Sequence, residues 1–306
     1  MERKQLLMLN PREYEHPLDK KALNMLEGTP GLEKVTRYFY KHGLERILRV
    51  QYTGSYLKVK ETQFPDVYDV LEEVCATIHL NDIPDMYINN ESGISGFALG
   101  SENPMIVISR RAVDWLPHEE LIALIGHEAG HIKSGHMLYH DMAQVIPLLG
   151  SVIGSATLGI GNLVSAGLEA ALFEWYRKSE LTADRAGVLA CQDYKSFIKV
   201  LIKISGAPKT SFDKIDVDEF INQAREFENY DYDSMDKVAK AASIMWQDHP
   251  WTVLRASELL KWVESGEYQK ILDKDSSECL KCSNCGAELK IDDKFCGDCG
   301  ASTTKR

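Results

Sequence analysis

The chain has 306 residues, 44% of them hydrophobic and 26% charged, which supports one large domain or one domain with a small appendage. A net charge of −11 repels a phosphate backbone, so broad nucleic-acid binding is not expected. The opening MERKQLLMLNPREYEHPLDK has no apolar core segment; no secretory signal is read there, and a reducing, cytoplasmic setting is expected.

In chain order, residues 1–65 read as an N-terminal helical region, with KALNMLEGTPGLEKVTRYFYKHGLERILRVQYTG punctuated by a turn at Thr29, Pro30 and Gly31. The segment DVYDVLEEVCATIHL places Val67, Val70, Leu71, Val74 and Ile78 at helical spacing. The short runs MYI and MIVIS, bounded by Gly, Pro and Asn, read as strands of a small antiparallel sheet. Two helices, at about 117–138 and about 172–192, flank a Gly-rich stretch. Residues 195–270 look helical again, with a loop around FENYDYDS. Beyond about 275 the composition shifts to Gly, Cys and charge. The expected division is therefore 1–65, a central domain over 66–274, and a terminal module over 275–306.

The central domain carries HEAGH at 127–131, within the helical pattern HEELIALIGHEAGHIKSGH. His127 and His131, at i and i+4, lie on one helix face about one turn apart and can reach one Zn²⁺. Glu128 is placed to take a proton from zinc-bound water attacking a peptide carbonyl. The bland alternative is a surface helix with two satisfied histidines, and the apolar context argues against it.

A third ligand has two usual sources. A histidine six residues past the second one is ruled out: Met137 stands there, Ser134 replaces the intervening Gly, and His136 and His140 are out of register. The other source is a glutamate from a later helix, and EWYRKSELTADRAGVLA offers Glu180. Asp184, one turn on, can hold a zinc-bound imidazole through its other N–H. Without HEAGH both acids would read as ordinary solvated charges.

The HEAGH helix, the hydrophobic stretch and SELTADRAG together resemble the HtpX and CAAX prenyl endopeptidase family of gluzincins. The resemblance implies that Glu180 and Asp184 form the family's E-x-x-x-D motif, Glu180 being the third ligand. Upstream, SGFALGSENPMIVISRRAVDWL resembles the segment before the zinc helix, with Phe97, Ala98 and Gly100 in place. Downstream, DHPWTVLR resembles the His-Pro motif and its following arginine, here His249, Pro250 and Arg255. The matched region covers about residues 66–264. Ser95 and Gly96 stand where the family commonly has Asn-Ala, and the clear transmembrane helices of membrane members are missing, so the chain looks like a soluble relative. The resemblance further implies that the strand near Met105–Ser109 pairs with an extended substrate, making Phe97, Ala98, Met105 and Val107 the substrate-binding residues. It implies that His249 donates to the oxyanion. Arg255 orients local acids or substrate, or makes a plain salt bridge.

No side chain from Val145 to Leu168 is charged. A single membrane span would put His131 and Glu180 on opposite sides, so a buried helical hairpin broken near Gly159–Gly161 is expected, the alternative being a hairpin that touches a membrane.

Five of the seven cysteines lie between Cys279 and Cys299 and read as metal ligands. Cys282 with Cys285, and Cys296 with Cys299, form two C-x-x-C knuckles, each followed by Gly. Four thiolates close a structural zinc site, a zinc ribbon whose metal provides its folding energy. Cys279 is spare, and Cys75 and Cys191 are expected to be buried in helices. The ribbon's mixed charges suggest a protein partner over nucleic acid.

The expected fold is mainly α with a small antiparallel sheet beside the zinc helix, zincin-like, plus the ribbon. The expected function is that of a zinc metalloendopeptidase acting on extended or unfolded polypeptides, with one catalytic and one structural Zn²⁺. The alternative is a ribbon-centred binding module with a latent or vestigial peptidase site; the intact Glu128 counts against it.

Overall fold

The computed structural model describes residues 3–29, 31–143, 166–228 and 250–274, and from the last segment 282, 284–287, 289, 293 and 295–302. Most of the expected hairpin at 145–168, most of FENYDYDS, His249 and Cys279 lie outside the described residues.

The N-terminal region forms α1 (Pro11–Tyr14), α2 (Pro17–Glu27), α3 (Leu32–His42) and α4 (Leu44–Ser55). A short β1 (Leu57–Lys58) precedes α5 (Pro65–Thr77), β2 (Asp85–Asn89), β3 (Gly96–Leu99) and β4 (Met105–Ser109). Then follow α6 (Arg110–Trp115), α7 (His118–Ser134) and a helical segment α8 over 137–143. The remaining α-helices among the described residues are α9 (Ala166–Cys191), α10 (Tyr194–Ile204), α11 (Val217–Glu228), α12 (Thr252–Glu264) and α13 (Glu267–Asp273). Among the described residues no helix is long and apolar enough to cross a membrane.

The sheet order is β1-β2-β4-β3, and β2 and β4 run parallel, so the sheet is mixed and not wholly antiparallel as expected. The cause is β3. SGFALG pairs as an edge strand, and the chain then turns back to lay β4 between β2 and β3. The turn needs Gly100, whose φ is +91°; a Cβ there would lie 2.5 Å from the Asn103 carbonyl oxygen.

Both faces of the sheet are covered. Met86, Ile88, Ala98, Ile106 and Ile108 join the core built by α5 and α7. The alternating set, Tyr87, Leu99, Met105 and Val107, joins a second core with Phe39, Leu48 and Trp175. Burial on both faces explains why MIVIS is a continuous apolar run.

Helix α7 runs through the centre, buried from Glu120 to His131. Its closest neighbour is α9, and small residues set that closeness. A Cβ on Gly126 would meet the Ala190 Cβ at 2.4 Å, and one on Gly130 would meet the Ala186 Cβ at 2.4 Å. With Ala183 and Gly187 opposite, the two backbones approach closely enough for short side chains from each to share one site.

Candidate active site

Two helices supply the site. His127 and His131, one turn apart on α7, face Glu180 and Asp184, one turn apart on α9. All four are buried, from 1% to 5% exposed. The two Nε2 atoms are 3.2 Å apart. His127 Nε2 is 3.4 Å from Glu180 Oε2, and His131 Nε2 is 3.4 Å from Glu180 Oε1. A tetrahedral zinc with bonds of ~2.0–2.1 Å separates its ligand atoms by about 3.3 Å. The three side chains therefore sit at the mutual separations such an ion requires.

The other ring nitrogens are engaged away from that point. His127 Nδ1 lies 3.0 Å from Asp184 Oδ1. His131 Nδ1 lies 3.0 Å from His136 Nδ1. These contacts orient both rings so that the two Nε2 atoms face each other and Glu180.

Arg255, on α12, closes the far side. Its Nε donates to Asp184 Oδ2 at 2.9 Å and its Nη2 to Asp184 Oδ1 at 2.5 Å. Its Nη1 lies 3.5 Å from Glu180 Oε2. The arginine is thus paired with both local acids. Burial alone would push the Asp184 carboxyl up, yet Arg255 and His127 hold it below the usual carboxylate range. Burial would likewise keep His127 neutral, but Asp184 and Glu180 raise its pKa to about 10. The excess of carboxylate charge around this ring suits a cation.

Glu128 completes a cluster with His127 and His131 in which the potential ligand atoms all lie within 4.8 Å of one another. Its carboxylate is pressed against β3, where a Cβ on Gly96 would come within 2.8 Å of Glu128 Oε1. Gly100 N–H donates to both oxygens of the buried Asp141 at 3.1 Å, tying the end of β3 to α8. Burial pushes that carboxyl up to about 7, the Gly100 bond opposing it.

Four expected substrate contacts divide into two pairs. Phe97 and Ala98 lie on β3, an edge strand among the described residues, with Phe97 half-buried against Tyr52 at a ring separation of 5.3 Å. Met105 and Val107 lie on β4, which is flanked on both sides, and both side chains are fully buried. The expectation that β4 pairs with substrate is thus corrected: its hydrogen bonds are used by β2 and β3, and of the two strands β3 is the one with no partner on its other side among the described residues.

At the terminal module, Cys282, Cys285, Cys296 and Cys299 gather within 4.8 Å. The Cys282–Cys299 and Cys285–Cys296 sulfur pairs are each 3.6 Å apart, close to the roughly 3.8 Å edge of a tetrahedron with Zn–S bonds of ~2.3 Å. Both knuckles repeat one pattern. Cys282 N donates to Ala287 O and Gly286 N to Cys282 O, as Cys296 N does to Ala301 O and Gly300 N to Cys296 O. Gly286 and Gly300 have φ of 76° and 70°, the left-handed turn each knuckle needs. Cys75 and Cys191 are buried.

Sequence reasoning missed the small-residue seam, for which Gly126, Gly130, Ala186, Gly187 and Ala190 at helical spacing were the available signal. It also missed Asp19, which reaches His136, and Thr182, which donates to Asp19, through packing that no local pattern announces.

A helix-borne histidine pair with a glutamate between, met by a carboxylate from a second close-packed helix, is the arrangement of a helical metallopeptidase. The chain belongs to peptidase family M48, whose family model matches residues 61–263. The plastoglobule-localized metallopeptidase 48 of Arabidopsis thaliana, a chloroplastic protein, is 29% identical over 267 residues, covering 86% of this chain and 76% of that protein. A protease HtpX homolog from Dictyoglomus thermophilum is 28% identical over 124 residues, 40% of either chain. Another, from Pediococcus pentosaceus, is 27% identical over 79 residues, covering 25% of this chain and 26% of that one. Less than half the length of these two HtpX homologs is matched. No solved structure matches.

Proposed function

We propose that the chain is a zinc metalloendopeptidase that hydrolyses internal bonds of extended or unfolded polypeptides. The observation that carries this reading is the convergence of His127 Nε2, His131 Nε2 and both Glu180 oxygens at 3.2–3.4 Å. In this reading His127, His131 and Glu180 hold the catalytic zinc. When bound there, zinc supplies a Lewis acid that acidifies water and polarises the scissile carbonyl. Glu128 accepts the proton of the attacking water and returns it to the leaving amine. Asp184 fixes His127, and Arg255 balances Asp184. The open side of β3 receives the substrate backbone as an added strand, with Phe97 and Ala98 beside it. His249 donates to the developing oxyanion. The four ribbon cysteines hold a structural zinc, and the ribbon recruits a protein partner or substrate. A cytoplasmic setting is proposed, with residues 145–168 as the segment through which any membrane contact would run.

Glu180→Ala tests the ligand set. The full-length variant is expected to lose zinc from the helix centre, keep it at the ribbon, and lose cleavage of a reduced, unfolded polypeptide. Retention of zinc at both sites by this variant would remove Glu180 from the ligand set.

A further inference from the structure

The two histidines of the centre are held in different ways. His127 is backed directly by a carboxylate, Asp184. His131 sits in the last turn of α7, and the residue behind it is another imidazole. The chain reverses at Gly135, whose φ of 73° allows the left-handed cap, and His136 N–H then bonds back to the His131 carbonyl. This brings the His136 ring beneath that of His131, with Nδ1 facing Nδ1 at 3.0 Å.

His136 is anchored in turn. Its Nε2 lies 3.3 Å from Asp19 Oδ2. The same oxygen accepts from Thr182 Oγ1 at 2.5 Å, and Thr182 Oγ1 accepts from the His16 N–H at 3.0 Å. His136, Asp19 and Thr182 are 4%, 1% and 0% exposed. Trp175 walls the ring in, edge-on at 5.5 Å. One set of protons satisfies the whole series. The hydroxyl donates to Asp19, His136 carries its proton on Nε2 and donates to Asp19, and its bare Nδ1 accepts from His131 Nδ1–H. That leaves the His131 Nε2 lone pair facing His127 and Glu180.

Asp19 is an expensive choice for packing alone. Its other oxygen, Oδ1, is buried with no hydrogen-bond partner among the described residues. Its place in the first turn of α2 favours the ionised form, which is the form that fixes the His136 tautomer. Asp19 also lies outside residues 61–263, the span matched by the family model.

We propose that His136, held by Asp19 and Thr182, is the positioning residue for the second histidine ligand, so that α2 sets the metal affinity of a site built on α7 and α9. This rests on the reading of His127, His131 and Glu180 as the metal centre. The test is titration of the full-length, metal-stripped chain with Co²⁺, followed by visible absorption. The thiolate charge-transfer bands report the ribbon and serve as an internal control, while the bands without thiolate character report the helix centre.

His136→Phe keeps a ring of similar size and removes the acceptor; it is expected to weaken Co²⁺ binding at the helix centre by roughly 10–100-fold, and Asp19→Ala by a comparable factor. His136→Asn places an amide oxygen near the former Nδ1 and is expected to bind close to wild type. Ribbon bands stay unchanged throughout. A merely packing role predicts the reverse order, with Phe tolerated and Asn harmful, and that result overturns the proposal, as does wild-type affinity in both His136→Phe and Asp19→Ala. Should His136→Phe fail to fold, as judged by circular dichroism and the ribbon bands, Asp19→Asn carries the test: a weakened helix centre supports the proposal and an unchanged one overturns it. A wild-type chain showing only thiolate bands would instead contradict the metal centre itself.

Discussion

Arg255→Met is expected to lower the melting temperature of the metal-loaded protein by on the order of 10 °C, corresponding to a loss of about 3–5 kcal/mol. The guanidinium is 7% exposed and is bonded through Nε and Nη2 to an Asp184 that is itself 1% exposed. A methionine fills most of the volume and leaves the carboxylate buried with His127 as its remaining partner at 3.0 Å. Removing one member of such a pair strands a charge, whereas removing both is far less costly. Arg255→Met with Asp184→Asn is therefore expected to recover most of the lost stability while keeping the metal affinity low, because the amide orients His127 less firmly. Scanning calorimetry of the two variants beside wild type checks this. Equal melting of Arg255→Met and wild type would mean that the arginine neutralises nothing that matters to folding.

Gly130→Ala is expected to cost roughly 10²-fold in turnover, through one added methyl that touches no substrate. That methyl would lie 2.4 Å from the Ala186 Cβ, far inside the ~3.5–4.0 Å at which carbons attract. The obstacle is short and rigid, so α7 and α9 must part locally by about an ångström. Gly130 adjoins His131, and Ala186 follows Glu180 by under two turns, so the parting separates Glu180 from the histidines it faces at 3.4 Å. Adding Ala186→Gly removes the opposing methyl and is expected to restore turnover and zinc content together. Failure of the second substitution to rescue the first would place the damage elsewhere on α7. Zinc at the ribbon, remote from this seam in sequence and held by its own knuckles, should be unaffected in both variants.

The features legible in the sequence share one property: they lie on single helices or in one short loop. His127, Glu128 and His131 follow from i, i+4 spacing, and the paired knuckles follow from C-x-x-C with a Gly behind each. Glu180 and Asp184 were legible as a pair on one face, and the resemblance to gluzincins tied them to α7. What escaped depends on where the chain goes between elements. GFAL is too short and too weakly patterned to announce a strand, yet its pairing at the edge makes the sheet mixed and buries Met105 and Val107. Residues 1–65 read as an N-terminal helical region, and the sequence does not announce that α1 and α2 within it are bonded into the centre. Tyr14 reaches Ser134, His16 reaches Thr182, and Asp19 reaches His136. The spacing of His136 is wrong for a ligand. Its contact with His131 depends on the reversal at Gly135, a backbone event that ligand spacing does not encode.

Glu128 is proposed as the general base of a zinc peptidase. The direct measurement is cleavage of a reduced, unfolded polypeptide by the full-length chain beside Glu128→Gln, with zinc quantified in both. The amide keeps the shape of the side chain and cannot take up the proton. Both proteins are expected to hold zinc at the helix centre and at the ribbon; wild type is expected to cut, and the variant to be slower by roughly 10²–10⁴-fold. Cleavage by Glu128→Gln at the wild-type rate, or a fully zinc-loaded wild type that leaves the polypeptide intact, would contradict the proposal.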